Sequence, residues 1–295
     1  MQGLQQARYR VLARGLWPAA IVLLIITAGP ALFLLVTSLT PLTPVRPETA
    51  LDFSRPAANF QQAVADARFR NSLVVQGKLS IVTVAGQLGV GLGLALLLNA
   101  NSRVIKWVRS GFLIPMVLPP IVVAIAWKIL FTPDTSPVAR LVELLGGSFG
   151  APITNPDLAL WAIALADTWE WFPFTLLMCL AALQMMPVEP IEAAHIDGAG
   201  VWQTFRFIVL PYLRSTLVVV AIFRLIESVK AFPLIYILTG GGPGSVTEVT
   251  NYYAFIQAFN FSYWGYASAL ATLLMSFVLL ISALMARKAR DESAT

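Results

Sequence analysis

The chain has 295 residues, of which 58% are hydrophobic and only 12% charged, and its mean hydropathy is +0.75. A soluble domain carries roughly 25% charged residues to cover its surface, so this composition excludes an ordinary soluble fold and belongs in a bilayer. The net charge of +5 comes from small basic clusters between apolar runs rather than from one polar face, which reads as membrane topology and not as nucleic-acid binding.

Runs apolar enough to cross about 30 Å of hydrocarbon, roughly 20 helical residues each, occur near residues 17–39, 72–98, 108–131, 158–182, 215–239 and 263–286. They predict an all-α polytopic membrane protein with six transmembrane helices. The first run follows Arg8, Arg10 and Arg14, as a secretory signal would. It is longer than a usual signal core, and Thr37-Ser38-Leu39 lacks a small-x-small cleavage pattern, so a retained anchor is expected. In the second run, the Gly89/Gly93 spacing is of the kind that lets two helices approach closely. Lys78 and Lys128 fall near helix ends and are expected to snorkel toward headgroups. Cys179, the single cysteine, lies inside the fourth run and reads as a small buried hydrophobe, which leaves no disulfide framework and no thiolate metal cluster.

Short loops rich in lysine and arginine stay cytoplasmic. Arg8, Arg10 and Arg14, then Arg103, Lys106 and Arg109, then Arg206 and Arg214, and finally Arg287, Lys288 and Arg290 gather on one side. They outnumber Arg46, Arg55, Arg68, Arg70 and Arg140 on the other. Both termini are therefore expected inside. The boundaries are a cytoplasmic tail over 1–16, a membrane domain over 17–286 with a cytoplasmic loop at 183–214, and a cytoplasmic tail over 287–295.

That loop is the most structured connector. Pro190 suits a first helical turn, and Glu189 and Glu192 suit the positive end of the helix dipole. Gly198 can take a left-handed conformation and end the helix, with Ala199 and Gly200 leaving the bend uncluttered. A second helical stretch over 201–209 carries Trp202, Phe205, Ile208 and Val209 as an apolar stripe before Pro211 starts the next element. By these residues alone, the segment fits equally an interfacial helix-turn-helix lying against lipid and a docking element for another subunit.

The pattern Glu192-Ala193-Ala194, then Asp197-Gly198, then Ile208-Val209-Leu210-Pro211 resembles the cytoplasmic signature of permease subunits in binding-protein-dependent ABC importers. Ile114-Pro115 with Leu118-Pro119-Pro120, then Trp127, and Leu238-Thr239 with Gly240-Gly241-Gly242-Pro243-Gly244 extend the resemblance to the sugar-permease branch over nearly the whole length. One departure is Ser215, where many relatives carry a proline. The resemblance implies the type I ABC importer permease fold, with Glu192, Ala193, Ala194, Asp197 and Gly198 forming the turn that docks on a separate ATPase. It also implies the partners: an ATPase dimer that holds ATP and Mg, a second homologous permease, an extracellular substrate-binding protein, and a sugar. A disaccharide such as trehalose or maltose is the expected cargo, in the bacterial cytoplasmic membrane. This chain is expected to carry no cofactor, no metal and no catalysis of its own. The only Gly-Lys pair, Gly77-Lys78, lacks the rest of a phosphate-binding loop, and the glycine-rich run at 240–244 is expected as a flexible outer loop near the receptor.

A charge at the hydrocarbon centre costs on the order of 3 kcal/mol, so intramembrane charges face protein or a wet cavity. In the fourth run Asp167, Glu170, Trp171 and Phe174 fall on one helical face. Carboxylates accept hydroxyl hydrogen bonds and aromatic rings cover the apolar side of a sugar ring, so the face suits a polyhydroxylated ligand. It suits buried ion pairing with core aromatics equally. In the fifth run Arg224, Glu227 and Lys230 are spaced by three, so Glu227 can neutralise either cation, as a structural cluster or as part of the translocation route. Two rival readings use the same carboxylates: an ion-coupled secondary carrier with Asp167 and Glu170 as its ion site, and a membrane-embedded acid–base enzyme.

Overall fold

The computed structural model describes residues 2–100 and 102–293, and of residues 2–16, 285, 286 and 288–293 the backbone alone. The side chains of Arg8, Arg10, Arg14, Lys288 and Arg290, on which the expected orientation draws, lie outside the described residues. The helices in chain order are α1 (Gln2–Ser38), α2 (Ala58–Ala65), α3 (Ala67–Leu98), α4 (Arg103–Phe112), α5 (Ile114–Val117), α6 (Pro120–Phe131) and α7 (Pro137–Leu144). They continue with α8 (Ala159–Gln184), α9 (Glu189–Ile196), α10 (Val201–Thr204), α11 (Leu210–Ser228), α12 (Phe232–Leu238), α13 (Thr250–Phe255) and α14 (Trp264–Ser293). No strand occurs among the described residues, only an isolated bridge between Thr43 and Arg46.

Four helical stretches are long and apolar enough to cross a membrane: Trp17–Ser38, Ala67–Leu98, Val201–Ser228 and Trp264–Leu284. A fifth is added when α8 and α9, which meet at a bend of 76°, are counted together. The all-helical expectation holds, while two of the six expected runs are broken. Over 108–131 the chain forms α4, α5 and α6, because Leu118 and Pro119 each precede a proline, are forced to extended ψ values of 140° and 136°, and cannot stay helical. Over 215–239 it stops at Ser228 and restarts at Phe232, with Pro233 in the first turn of α12. The freed carbonyls at that break are taken by side-chain amides: Gln76 Nε2 donates to Ser228 O at 3.3 Å and Asn251 Nδ2 to Val229 O at 2.8 Å.

The chain divides into two compact units. One gathers the chain up to Asp66 with Ala254–Met275. Within it Asn59 Nδ2 donates to the carbonyls of Ser38 and Thr40 at 2.9 and 2.8 Å, supplying partners where α1 runs out. Gly265 presses onto the backbone of Thr40, where a Cβ would collide, and its N–H donates to Leu42 O at 2.9 Å. Tyr266 Oη donates to Asp66 Oδ2 at 2.6 Å.

The other unit gathers Ala67–Tyr253 with the chain from Ser276 on, and its central pair is α3 against α8. Close approach occurs at Gly86, whose Cβ would lie 2.9 Å from Thr168 Oγ1, and at Gly91, whose Cβ would collide with Thr175; the expected pair Gly89 and Gly93 has open space around it. The reason is the helical phase. Gly91 shares a face with the buried Gln87 and Ala95, while Gly89 and Gly93 lie nearly opposite it and are exposed. Ala95, Phe172, Leu176, Cys179, Leu180, Leu183, Val209 and Leu213 form a continuous apolar core, so Cys179 is the buried hydrophobe expected of it. Along α3 the same inward face also carries Ser72, Gln76, Ser80, Thr83 and Gln87, all buried.

The glycine-rich segment at 240–244 is braced, contrary to the flexible loop expected. Thr247 Oγ1 donates to Gly242 O at 2.7 Å, and Gly241 sits against the Tyr252 ring. Arg68 forks onto the buried carboxylate of Glu248 at 2.8 and 2.6 Å. Glycine counts suggest freedom, but positive φ at Gly240, Gly241 and Gly244 here defines one turn.

Candidate functional site: an exposed turn and a buried polar cluster

The turn expected between α8 and the next long helix exists. α9 starts with Pro190 in its first turn beside Glu189 and Glu192, and it ends where Gly198 adopts φ +79°. The N–H of Ala199 donates to Ala194 O at 2.9 Å and that of Gly198 to His195 O at 3.1 Å, the paired bonds of a Schellman motif. A Cβ at Gly198 would meet no atom within 4 Å, so glycine is required here by φ and not by space. Gly200 then opens α10, its N–H accepted by Gln203 Oε1 at 2.8 Å. Glu192, Ala193, Asp197 and Gly198 are exposed and Ala194 is half-buried, so α9 has no buried side chain at all.

The expected apolar stripe is only partly turned inward. Val209 is buried and Phe205 half-buried against the core, whereas Ile196, Val201, Trp202 and Phe207 remain largely exposed, the first two at 86% and 87%. Beyond α10 the helix does not stop at Pro211. A π-helical turn over Phe205–Val209, closed by Leu210 N–H onto Phe205 O, carries α10 directly into α11. The wider turn makes room for a residue that lacks an N–H and whose ring would strike the preceding turn. The exposed turn is thus followed by a continuous 28-residue helical stretch, Val201–Ser228. Asp197, Gly198, Ala199, Gln203, Thr204, Phe207 and Ile208 border a hollow of about 330 Å³ beside it.

The second site lies where α3, α8 and α11 meet. Asp167, Glu170 and Arg224 are all buried. Gln87 joins two of them: its Nε2 donates to Asp167 Oδ2 at 2.7 Å, and Arg224 Nε donates to its Oε1 at 2.8 Å. The bonding fixes which end of the amide is oxygen. The Arg224 guanidinium lies over the Trp171 ring, 4.4 Å from its centroid. Glu170 Oε1 has no hydrogen-bond partner among the described residues. Phe174 tilts against Phe223 at 6.3 Å rather than joining the charges. Glu227, able by spacing to pair with either neighbour, bonds Lys230 at 2.7 Å where both are partly exposed. Trp171 is therefore engaged by a cation, and Glu170 is the group left with capacity to accept. Sequence reading missed Gln87, although its signal was present: in the second run, Ser72, Gln76, Ser80, Thr83 and Gln87 repeat every three or four residues, a polar face no lipid-exposed helix would carry.

A family model described as binding-protein-dependent transport system inner membrane component matches residues 87–291, which takes in both sites. The chain belongs to that family. This inner membrane component is 34% identical to the trehalose/maltose transport system permease protein MalF of Thermococcus litoralis over 76% of this chain and 75% of the relative. It is 33% identical to the sulfoquinovosyl glycerol transport system permease protein SmoG of Agrobacterium fabrum over 93% and 89%. It is 29% identical to the trehalose transport system permease protein SugA of Mycobacterium tuberculosis over 90% and 84%. In fold it matches a solved bacterial alginate ABC transporter in complex with its alginate-pentasaccharide-bound periplasmic protein, at a TM-score of 0.82 and 20% identity over 98% and 97% of the two chains. The component is thus a multi-pass ABC permease subunit with the type I importer fold, a transport subunit and not an enzyme.

Proposed function

We propose that this permease forms part of the translocation pathway of an ATP-driven importer of carbohydrate, a disaccharide of the trehalose or maltose kind, and couples that pathway to a separate ATPase. The observation that carries the coupling half is α9. An eight-residue helix with every side chain at least partly open, locked by a Schellman turn that joins it to a long helix beyond, buries no side chain within its own chain. It makes sense as a lever whose partner surface belongs to another subunit. Glu192, Ala193, Ala194, Asp197 and Gly198 dock in the ATPase, which supplies ATP and Mg. A second homologous permease completes the pathway, and an extracellular binding protein delivers the cargo.

In this reading the chain crosses a bacterial cytoplasmic membrane six times, α5–α6 forming the broken third span and α11–α12 the broken fifth, with both termini inside. Irregular backbone at such depth is tolerated where protein or a cavity covers it. The cargo reading is supported by the sugar specificities in the relatives' names and by the buried cluster. Glu170 Oε1 is free to accept a hydroxyl hydrogen, and Phe174 offers a ring edge on the same helix, whereas Arg224, Gln87 and Asp167 hold the helices in register. A pathway open at both ends would dissipate the gradient, so the site faces one side at a time, switched by ATPase closure through α9.

The test starts from a Cys179→Ala background carrying a single cysteine at Glu192 or Asp197. A bifunctional reagent is expected to link it to a nucleotide-hydrolysing subunit, and uptake of labelled trehalose or maltose in vesicles is expected to need ATP and the binding protein. Uptake by the chain alone under an ion gradient would establish the secondary-carrier reading instead.

A further inference from the structure

α4, which leads into the third expected span, is an element that the importer reading leaves unused. α4 carries Arg103 and Lys106 on one face and Val104, Trp107 and Val108 on the other, and contains no acidic residue. Two contacts fix its orientation. Arg109 donates from Nε to Leu98 O at 3.1 Å and from Nη2 to Ala100 O at 3.0 Å, tying α4 to the end of α3, and the Phe112 ring meets the core ring Phe172 edge-on at 6.0 Å. Anchored at Arg109 and Phe112, the helix leaves its remaining side chains outward: Trp107 is 81% exposed and Val104 70%. Arg109 is consumed by the carbonyls, so Arg103 and Lys106 are the cations available to a ligand.

We propose that α4 is a contact for anionic phospholipid, with Arg103 and Lys106 on the headgroup phosphate and Val104, Trp107 and Val108 in the acyl boundary. An amphipathic helix with a basic polar face and a tryptophan among its apolar residues settles in the plane of a bilayer interface. The choice of an anionic over a zwitterionic headgroup follows from two cations with no acidic neighbour on the helix. Under the proposed topology this is the cytoplasmic leaflet; the headgroup preference itself does not depend on that assignment.

The full chain, purified with whatever subunits it retains, is to be placed in nanodiscs of phosphatidylcholine with or without phosphatidylglycerol, and the retained phosphatidylglycerol per chain measured after delipidation. A basic side chain near an anionic surface contributes about fivefold, so the Arg103→Gln/Lys106→Gln pair should lower retention by roughly 30-fold at low salt and less at high salt. Ser110→Lys, which adds a cation to the same face, should raise retention and guards against a misfolded double variant. Brominated phosphatidylglycerol should quench the emission lost in Trp107→Phe more strongly than brominated phosphatidylcholine does. Equal quenching by both lipids, retention unchanged by both charge variants, or loss of a copurifying subunit with lipid retention intact would each overturn the proposal, the last by showing that protein covers α4.

Discussion

The exposed turn and the buried cluster put charged side chains to opposite uses. In α9 and its C-cap the carboxylates of Glu189, Glu192 and Asp197 stand in the open, and what defines the region is backbone: one positive φ and two hydrogen bonds. In the cluster the backbone is ordinary helix, and what defines the region is side-chain pairing among Asp167, Gln87, Arg224 and Trp171. An exposed turn can be specified locally. A polar group inside a membrane must be specified by its partners, because leaving it unpaired is costly.

The comparison predicts separable failures. The largest stability effect is expected from Arg224→Met, which leaves Asp167 and Glu170 buried without a cation; breaking one partner of a buried pair costs about 3–5 kcal/mol, so assembled transporter should vanish from detergent extracts on size exclusion. Survival of the assembly would show that the cluster is not structural. Next is Gly91→Leu, which drives a side chain into Thr175 and should lower the thermal midpoint by an overpacking cost of about 1–3 kcal/mol, while Gly89→Leu, facing open space, should leave it unchanged.

Gly198→Val isolates the turn. A β-branched residue at φ +79° costs about 1–2 kcal/mol locally and should leave insertion and assembly of the membrane helices intact while abolishing uptake; Glu192→Lys should do the same by charge. Normal uptake in both would remove α9 from the coupling route. Glu170→Gln should lower uptake while sparing assembly, since its Oε1 holds no protein partner. The smallest change is expected for Glu227→Gln, which breaks a partly exposed pair with Lys230 worth about 0.3–0.5 kcal/mol and should be silent in both assays.

Legibility followed the same division. Pro190, Gly198 and the glutamates between and before them announced α9 because caps and dipole preferences act within a few residues. The cluster was half legible: the spacing of Asp167, Glu170 and Trp171 showed one face, but Gln87 and Arg224 come from other helices. The small residues were misread for the same reason, since Gly89/Gly93 has the favoured spacing while Gly86 and Gly91 have the favoured neighbours. The glycine-rich segment looked loose because the Arg68–Glu248 fork that steadies it joins residues 180 positions apart.

Sequence by itself determined that this is a multi-pass helical membrane protein, where the chain turns after α9, and which family signature it bears, because hydropathy, proline placement and a left-handed glycine are properties of contiguous residues. Tertiary structure alone decided which glycines admit a neighbouring helix and that Arg224 reaches Asp167 through Gln87. Those outcomes depend on which helix faces cross, and facing is set by packing between segments far apart in the chain.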